Sequence, residues 1–143
     1  MAREVAVAAA VLVDLWDRTA HSASPRLSNL QLRALTVIQG NPGINLTRLA
    51  EEVRAGAPAA SRLCDRLEAA GLLRRERSTD NRREVGLVLT AHGGEAVDHL
   101  YERRSRALRA VLSGMSAEQR RYLLAGLRAF TEAMDVPPEQ RAD

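Results

Sequence analysis

Two neighbouring stretches of this 143-residue chain carry arginines whose placement could serve recognition. The second stretch holds five of them within ten residues: Arg74, Arg75, Arg77, Arg82 and Arg83. A guanidinium group can donate two parallel hydrogen bonds to a phosphate, or to O6 and N7 of guanine. All 21 basic residues are arginine, and with 18 acids the net charge is +3 and the pI about 9.9. This charge pattern favours a polyanionic partner.

The first stretch lies on a predicted helix over residues 58–70. At 100° per residue its apolar side chains share one sector: Ala60, Leu63, Cys64, Leu67 and Ala70. The opposite sector holds Pro58, Ser61, Arg62, Asp65, Arg66 and Ala69. Its N-terminal half is small and polar around Arg62, which suits a helix that enters the major groove of DNA. Taken alone, the pattern fits an ordinary solvated helix face equally well.

A predicted β-hairpin follows this helix. Residues 72–77 form its first strand, residues 78–83 a polar turn, and residues 84–89 a second strand whose inward positions are Val85, Leu87 and Leu89. Arg82 and Arg83 lie at or beside the tip. An arginine held on such a hairpin can enter a narrow A·T-rich minor groove, and its neighbours can pair with phosphates.

The remaining elements are helices with recognisable start signals. The pattern predicts helices over residues 4–20, from Ser28 to Gly40, over 46–53, from Thr90 to about Leu112, and from Ser116 to about Met134. Capping boxes pair Ser28 with Gln31 and Ser116 with Gln119. The helix over 46–53 and the helix over 58–70 are joined by a short turn, Ala55-Gly56-Ala57, as in a helix-turn-helix. The fold class is therefore mainly α with a small β-hairpin, a winged helix-turn-helix with flanking helices.

Composition excludes several other classes of protein. The 45% hydrophobic content supports one folded domain over residues 1–143 rather than disorder. A single Cys excludes an internal disulfide framework and favours the cytoplasm. The longest apolar run, Val5 to Val13, is nine residues, against about 20 for a membrane span, and it fits a mature helix better than a signal peptide.

Two apolar surfaces exceed what a small core can bury. One is the first helix, which is apolar on more than one face near its start. The other is the stripe of Leu123, Leu127, Phe130 and Met134 on the last helix. Because a small monomer cannot bury both, we expect a homodimer.

Residues 30–93 resemble the MarR (multiple antibiotic resistance regulator) family of winged-helix transcription factors. The resemblance is carried by Leu46-Thr47-Arg48-Leu49-Ala50, by residues 61–72 (SRLCDRLEAAGL), by Asp80-Asn81-Arg82-Arg83-Glu84-Val85 and by Leu89-Thr90-Ala91-His92-Gly93. It implies a DNA-binding winged helix-turn-helix over 28–90 and dimerisation helices over 1–22 and 91–136. It also implies a sequence-specific regulator that binds a palindromic operator in double-stranded DNA. A repressor is the expected kind of regulator.

The resemblance also assigns roles to individual residues. The recognition helix presents Pro58, Ser61, Arg62, Asp65 and Arg66, and the wing presents Arg75, Arg77, Asn81, Arg82 and Arg83. Either Asp80 or Asn81 occupies the place of the family's wing aspartate. Candidate walls of a small-molecule effector pocket are Trp16, Arg18, His21 and Tyr101, although Trp16 fits a plain interface anchor equally well.

Other chemistry is less well supported. Cys64 fits a buried structural thiol better than a redox sensor. His92, Glu95 and His99 place the two histidines two turns apart, so solvated surface is favoured over a metal site. Neither a catalytic arrangement nor a phosphate loop occurs, so an enzyme and a cofactor are not expected. The rival hypothesis is a winged-helix module for protein interaction or DNA architecture. The hairpin turn argues against it, because residues 78–83 contain no apolar side chain.

Overall fold

The computed structural model describes residues 1–22, 24–77 and 84–135. Within these ranges six helices and two strands follow one another: α1 (Ala2–His21), α2 (Asn29–Gly40), α3 (Leu46–Glu52), α4 (Ala57–Ala69), β1 (Leu73–Arg77), β2 (Val85–Leu89), α5 (Ala91–Ser113) and α6 (Ala117–Asp135). The chain forms two compact units, residues 1–104 and residues 105–143. No helix in the described ranges is both long enough and apolar enough to cross a membrane.

The first unit is built around one apolar core. Side chains from α2, α3, α4, both strands and α5 meet in it, and the largest fully buried ones are Leu35, Ile38, Leu49, Leu67, Leu72, Leu73, Leu87 and Leu100. Local signals start the helices: Ser28 and Gln31 form the predicted capping box of α2, and Asn45 accepts from the amide of Arg48 to cap α3. Helix α4 ends at Ala69 with Ala70 as its C-cap, and Gly71 follows with φ +71°, a left-handed conformation that glycine adopts readily just beyond a helix.

The two strands form an antiparallel hairpin that is fastened to the helix-turn-helix. The register pairs Leu73 with Leu89 and Arg77 with Val85. Leu87 also exchanges backbone hydrogen bonds with the segment after α2, accepting from Gly43 at 2.9 Å and donating to Ile44 at 2.8 Å. The hairpin is therefore fixed at the middle of β2 by main-chain bonds as well as by the buried side chain of Leu87.

The start of α5 packs against Leu72, which lies between α4 and β1. Thr90 caps α5 by accepting from the amide of Gly93 at 3.0 Å, and its own amide donates to the carbonyl of Leu72 at 3.2 Å. Gly93 lies so close to this carbonyl that a Cβ there would fall 1.9 Å from the oxygen. The absence of a side chain at Gly93 thus permits the contact between α5 and Leu72.

The second unit contains the end of α5 and the whole of α6. The predicted capping box is present, with the amide of Gln119 donating to the Ser116 hydroxyl at 3.2 Å. The predicted apolar stripe is exposed: Leu123, Leu127 and Phe130 are 40%, 44% and 61% accessible. These side chains therefore stay substantially exposed within the described residues of the chain.

Two details differ from the sequence-based predictions, and the turn before α4 adds a backbone conformation that those predictions did not address. Ala70 is exposed rather than part of the core face of α4, because it is the residue at which the helix ends. Val85 is 47% exposed although it alternates with Leu87, because it lies at the end of the hairpin far from the core. In the turn before α4 the left-handed residue is Arg54, with φ +53°, while Gly56 has an ordinary φ of −65° and caps α4.

Candidate nucleic-acid interface

Helix α4 separates its core side from its solvent side as predicted, apart from Ala70. Ala60, Leu63, Cys64 and Leu67 are buried. On the opposite side Pro58, Asp65 and Arg66 are exposed, Arg62 is exposed between them, and Ser61 is half-buried. The N-terminal half of this surface is narrow and carries a single cation, Arg62. It therefore has the shape and the donor that a helix in a major groove needs.

Arg75 links the hairpin to α4. Its guanidinium donates to the carboxylate of Asp65 at 2.7 Å and also pairs with the carboxylate of Glu68. The hydrogen bond to Asp65 is the main reason why the pKa of Arg75 is raised above its ordinary value. Sequence reasoning assigned Asp65 and Arg75 separately to DNA contacts. The geometry shows that they engage each other.

Five other arginines of the first unit have guanidinium groups without a partner in the described ranges. They lie on α3, in the turn before α4, on α4 and on β1: Arg48, Arg54, Arg62, Arg66 and Arg77. All five are exposed, and none has a side-chain hydrogen bond or ion pair to another residue in the described ranges. By contrast, the Arg74 side chain donates to Glu76 at 2.7 Å, and Arg33 donates to the carbonyl of Glu52 at 3.0 Å. The five unpaired cations thus lie on and around the helix-turn-helix and the hairpin.

The predicted wing tip lies outside the described residues. Asn81, Arg82 and Arg83, together with the alternative aspartate Asp80, fall within residues 78–83. Of the predicted wing residues, Arg75 and Arg77 are described. The roles of Asn81, Arg82 and Arg83 in DNA binding stay predictions.

A cavity of about 510 Å³ lies between α1, α2 and α5 in the first unit. Its lining includes the predicted residues Trp16 and Tyr101, whereas Arg18 and His21 lie elsewhere. Arg18 pairs with Asp14 at 2.9 Å, and His21 donates from Nδ1 to the carbonyl of Asp17 at 2.7 Å. Both side chains are therefore engaged within α1 rather than in this cavity.

The cavity contains a buried cation that sequence reasoning missed. Arg104 is 5% exposed, and its guanidinium carbon lies 4.6 Å from the centre of the Trp16 ring. Its Nε has no hydrogen-bond partner among the described residues. Burial lowers the pKa of Arg104, and the nearby Tyr101 and Asp17 oppose the shift. The signal that could have found it was its spacing, since Val97, Leu100 and Arg104 recur on one face of α5.

The other candidate groups show no chemistry of their own. Cys64 is fully buried, and burial is the main cause that raises the pKa of its thiol. His92, Glu95 and His99 are exposed on α5. In the described part of the chain, no three His, Cys, Asp or Glu side chains come together as metal ligands would.

Comparison with known proteins agrees with this geometry. A model of the MarR family matches residues 27–85. An HTH-type transcriptional regulator of Bacillus subtilis, YfiV, is 27% identical over 109 residues, which are 76% of this chain and 68% of YfiV. The RV1404 crystal structure from Mycobacterium tuberculosis has a TM-score of 0.86 and 27% identity, covering 94% of this chain and 92% of RV1404. Streptococcus pneumoniae FabT in complex with DNA shares the fold, with a TM-score of 0.74, 21% identity and 93% of each chain covered.

Proposed function

We propose that this chain, whose residues 27–85 match the model of the MarR family, is a homodimeric repressor that binds a palindromic operator in double-stranded DNA. The observation that carries this proposal is the solvent side of α4, where Arg62 stands free on a narrow polar surface. Four further unpaired arginines lie on α3, in the turn before α4, on α4 and on β1. DNA is the polyanion that such an arrangement fits, because a groove helix reads bases while neighbouring cations bind phosphates.

The size of α4 supports binding in the major groove. An α-helix with its side chains is about 10–12 Å across, and the major groove is about 12 Å wide. Arg62 lies in the second turn of α4, on the side opposite Leu63 and Leu67. From that position its guanidinium can donate to O6 and N7 of one guanine, whereas Arg66, one turn further on, is closer to the groove edge. We therefore assign base reading to Arg62 and phosphate binding to Arg66.

The exposed apolar residues support assembly as a homodimer. Val5, Val7 and Val11 on α1 are 51%, 65% and 68% exposed, in addition to the apolar stripe on α6. Dimerisation helices over residues 1–22 and 91–136 would cover these side chains. A twofold dimer presents two copies of α4, so its operator carries two inverted half-sites about one helical turn apart. A dimer bound across a promoter blocks transcription by occupying the DNA.

Two experiments test this function. Selection of bound fragments from random DNA, followed by sequencing, is expected to return an inverted repeat with a guanine at one position of each half-site. Light scattering is expected to give a mass of about 31 kDa, twice that of the 15.6 kDa chain. A well-folded monomer at micromolar concentration would contradict the dimer and its palindrome. Selected fragments without any common sequence would contradict specific regulation and favour an architectural role.

The cavity between α1, α2 and α5 supports release of the operator by a small-molecule effector. Its volume lies in the range of small-molecule sites, and its walls are mostly apolar, with Leu12, Val13, Leu32 and Val37 among them. Arg104 adds a buried cation with an open donor. A flat apolar molecule carrying one carboxylate would pack against the apolar walls and pair with the guanidinium group of Arg104.

The connection from the cavity to α4 runs through α2. One face of α2 lines the cavity, and Arg33, also in its lining, donates to the carbonyl of Glu52 in α3.

Benzoate is a suitable probe of this cavity, and Trp16 is the single tryptophan of the chain. Saturable quenching of Trp16 fluorescence, with weaker operator binding at the same concentrations, is the expected result. Arg104→Met should lose both responses while it still binds the operator, and unchanged fluorescence in the parent would contradict the effector site.

A further inference from the structure

The turn between α3 and α4 contains an arginine in a conformation that arginine rarely adopts. Arg54 has φ +53°, and among the described residues it is the single non-glycine with a positive φ. L-residues in this left-handed region are strained because Cβ approaches the following carbonyl, whereas Gly and, to a lesser degree, Asn adopt it readily. Strain of this kind persists where the surrounding structure imposes it, and it is often connected with function.

The main chain, not the side chain, imposes this conformation. The amide of Arg54 donates to the carbonyl of Glu51 at 3.1 Å, and the amide of Ala55 donates to the carbonyl of Ala50 at 2.9 Å. Val53, immediately before, is buried in the core. These bonds would form equally well with Gly at position 54. The fold therefore needs a left-handed residue there, but it does not need an arginine.

The side chain of Arg54 makes no hydrogen bond or ion pair within the described residues that would stabilise the fold. It is exposed to solvent. The acids Glu51 and Glu52 lie close by in the sequence, yet neither forms a salt bridge with it within those ranges. A charge at the C-terminal end of α3 can interact favourably with the helix dipole, and this is the structural role that competes with a binding role.

The position of Arg54 brings it close to any DNA that α4 enters. Gly56, the residue that caps α4, follows two residues later. The two Cα atoms are therefore at most about 7 Å apart, and the arginine side chain extends further. Because the major groove is only about 12 Å wide, its bordering phosphates lie within reach when the N-terminus of α4 is inserted.

We propose that Arg54 binds a backbone phosphate at the edge of the groove that α4 enters, and that this contact is the reason for an arginine at a strained position. The proposal rests on the proposed DNA-binding function. It adds a residue that fixes the depth and orientation of α4 in the groove without reading a base. Each dimer would make two such contacts, one in each half-site.

When Arg54 is replaced, the stability of the fold and the affinity for the operator should change in opposite directions. Arg54→Gly and Arg54→Asn relieve the strain, and Arg54→Gly is expected to raise the folding equilibrium constant about threefold to fivefold in urea denaturation. Both variants should weaken operator binding. Because each dimer would then bind two fewer phosphates, the slope of log affinity against log salt should fall by about 2, which is on the order of a 50-fold drop in affinity at ~0.1 M salt.

Two control variants separate this contact from general charge effects. Arg54→Lys keeps a cation that can pair with a phosphate, so it should retain most of the parent salt slope. Arg3→Ala removes the same charge from α1 and should leave the slope unchanged. If Arg54→Gly binds the operator with the parent affinity and slope while Arg62→Ala is impaired, the Arg54 proposal is wrong and the proposed function stands. If the parent binds no DNA selectively, both fail together.

Discussion

The guanidinium of Arg75 on β1 donates to the carboxylate of Asp65 on α4 at 2.7 Å, and so joins the wing to the predicted recognition helix. The Arg75 side chain is 31% exposed and also pairs with Glu68. One planar cation therefore holds two carboxylates that lie one turn apart on α4. This arrangement restrains the hairpin relative to α4. It also pairs the charge of Arg75 with carboxylates of the protein itself.

Arg75→Ala should destabilise the fold by about 0.5–1 kcal/mol, the range of a partly exposed ion pair. A double-mutant cycle with Asp65→Ala in urea denaturation should show a coupling of similar size. Arg75→Lys should not restore it, because an ammonium group cannot fork across both carboxylates. The sequence-based alternative is a direct phosphate contact by Arg75. In that case Arg75→Ala would lower the salt slope of operator binding by about 1 for each half-site, whereas a purely internal link leaves the slope unchanged.

Much of the fold could be predicted because its signals are local. The capping residues Ser28 and Ser116 each act within three positions of the chain, so the sequence alone contains the whole interaction. The core side of α4 follows from helical spacing around Leu63 and Leu67, and the hairpin follows from the polar turn between two short strands, of which the second alternates in hydrophobicity. Helix and strand boundaries agree with the structure within about two residues.

The features that the sequence could not predict depend on tertiary contacts. The pairing of Arg75 with Asp65 joins residues ten positions apart, and nothing in either segment distinguishes this arginine from its neighbour Arg74. The stacking of Arg104 on Trp16 joins α5 to α1, two helices that are far apart in the sequence of the first unit. The left-handed residue of the turn before α4 is Arg54, and no glycine in the sequence marks that position.

Cys64 should behave as an unreactive core thiol. Burial is the main cause that raises its thiol pKa, so at pH 7–8 alkylation by iodoacetamide should be at least ~100-fold slower in the folded protein than in urea. The raised pKa means that the folded state favours the neutral thiol. Its contribution to stability is complete below the unfolded pKa of about 8.5 and is lost as the pH rises through the higher folded value. Rapid labelling of the native protein would contradict this and reopen a sensor role.

Arg62→Ala should change the specificity of operator binding as well as its strength. Removing a two-bond contact to guanine costs about 1–3 kcal/mol on the best operator and flattens base preference at one position per half-site. Binding selections on the parent and on Arg62→Ala measure both effects. Arg3→Ala is the matched control for charge. A uniform decrease on all sequences would instead assign Arg62 to a phosphate.

Arg82 and Arg83, predicted at the wing tip, should contribute through charge and groove shape. Alanine at either position is expected to weaken binding to all sequences and to lower the salt slope by about 1 for each phosphate that is no longer bound, two per dimer. Replacing an arginine of the minor groove should weaken binding more on A·T-rich flanks than on G·C-rich flanks. Salt titrations of both variants on the two kinds of flank provide the measurement. Unchanged affinity and slope in both variants would exclude the hairpin as a DNA element.

Gly93 and Gly94 are adjacent in α5, yet alanine should have opposite effects at the two positions. A Cβ at Gly93 would lie 1.9 Å from the carbonyl oxygen of Leu72, whereas a Cβ at Gly94 meets nothing within 4 Å. Gly93→Ala must therefore push α5 away from Leu72, disturbing the bond from the Thr90 amide to that carbonyl, and should cost about 3 kcal/mol or more.

Gly94→Ala provides the control within the same turn of helix. It adds the same methyl group in open space and removes the entropic cost of a helical glycine, so it should stabilise the protein by about 0.5–1 kcal/mol. Urea denaturation of the two variants measures the difference directly. Equal effects of the two substitutions would contradict the close approach of α5 to Leu72. That contact connects the end of the winged helix to α5, so Gly93→Ala should also weaken operator binding, whereas Gly94→Ala should leave it at the parent value.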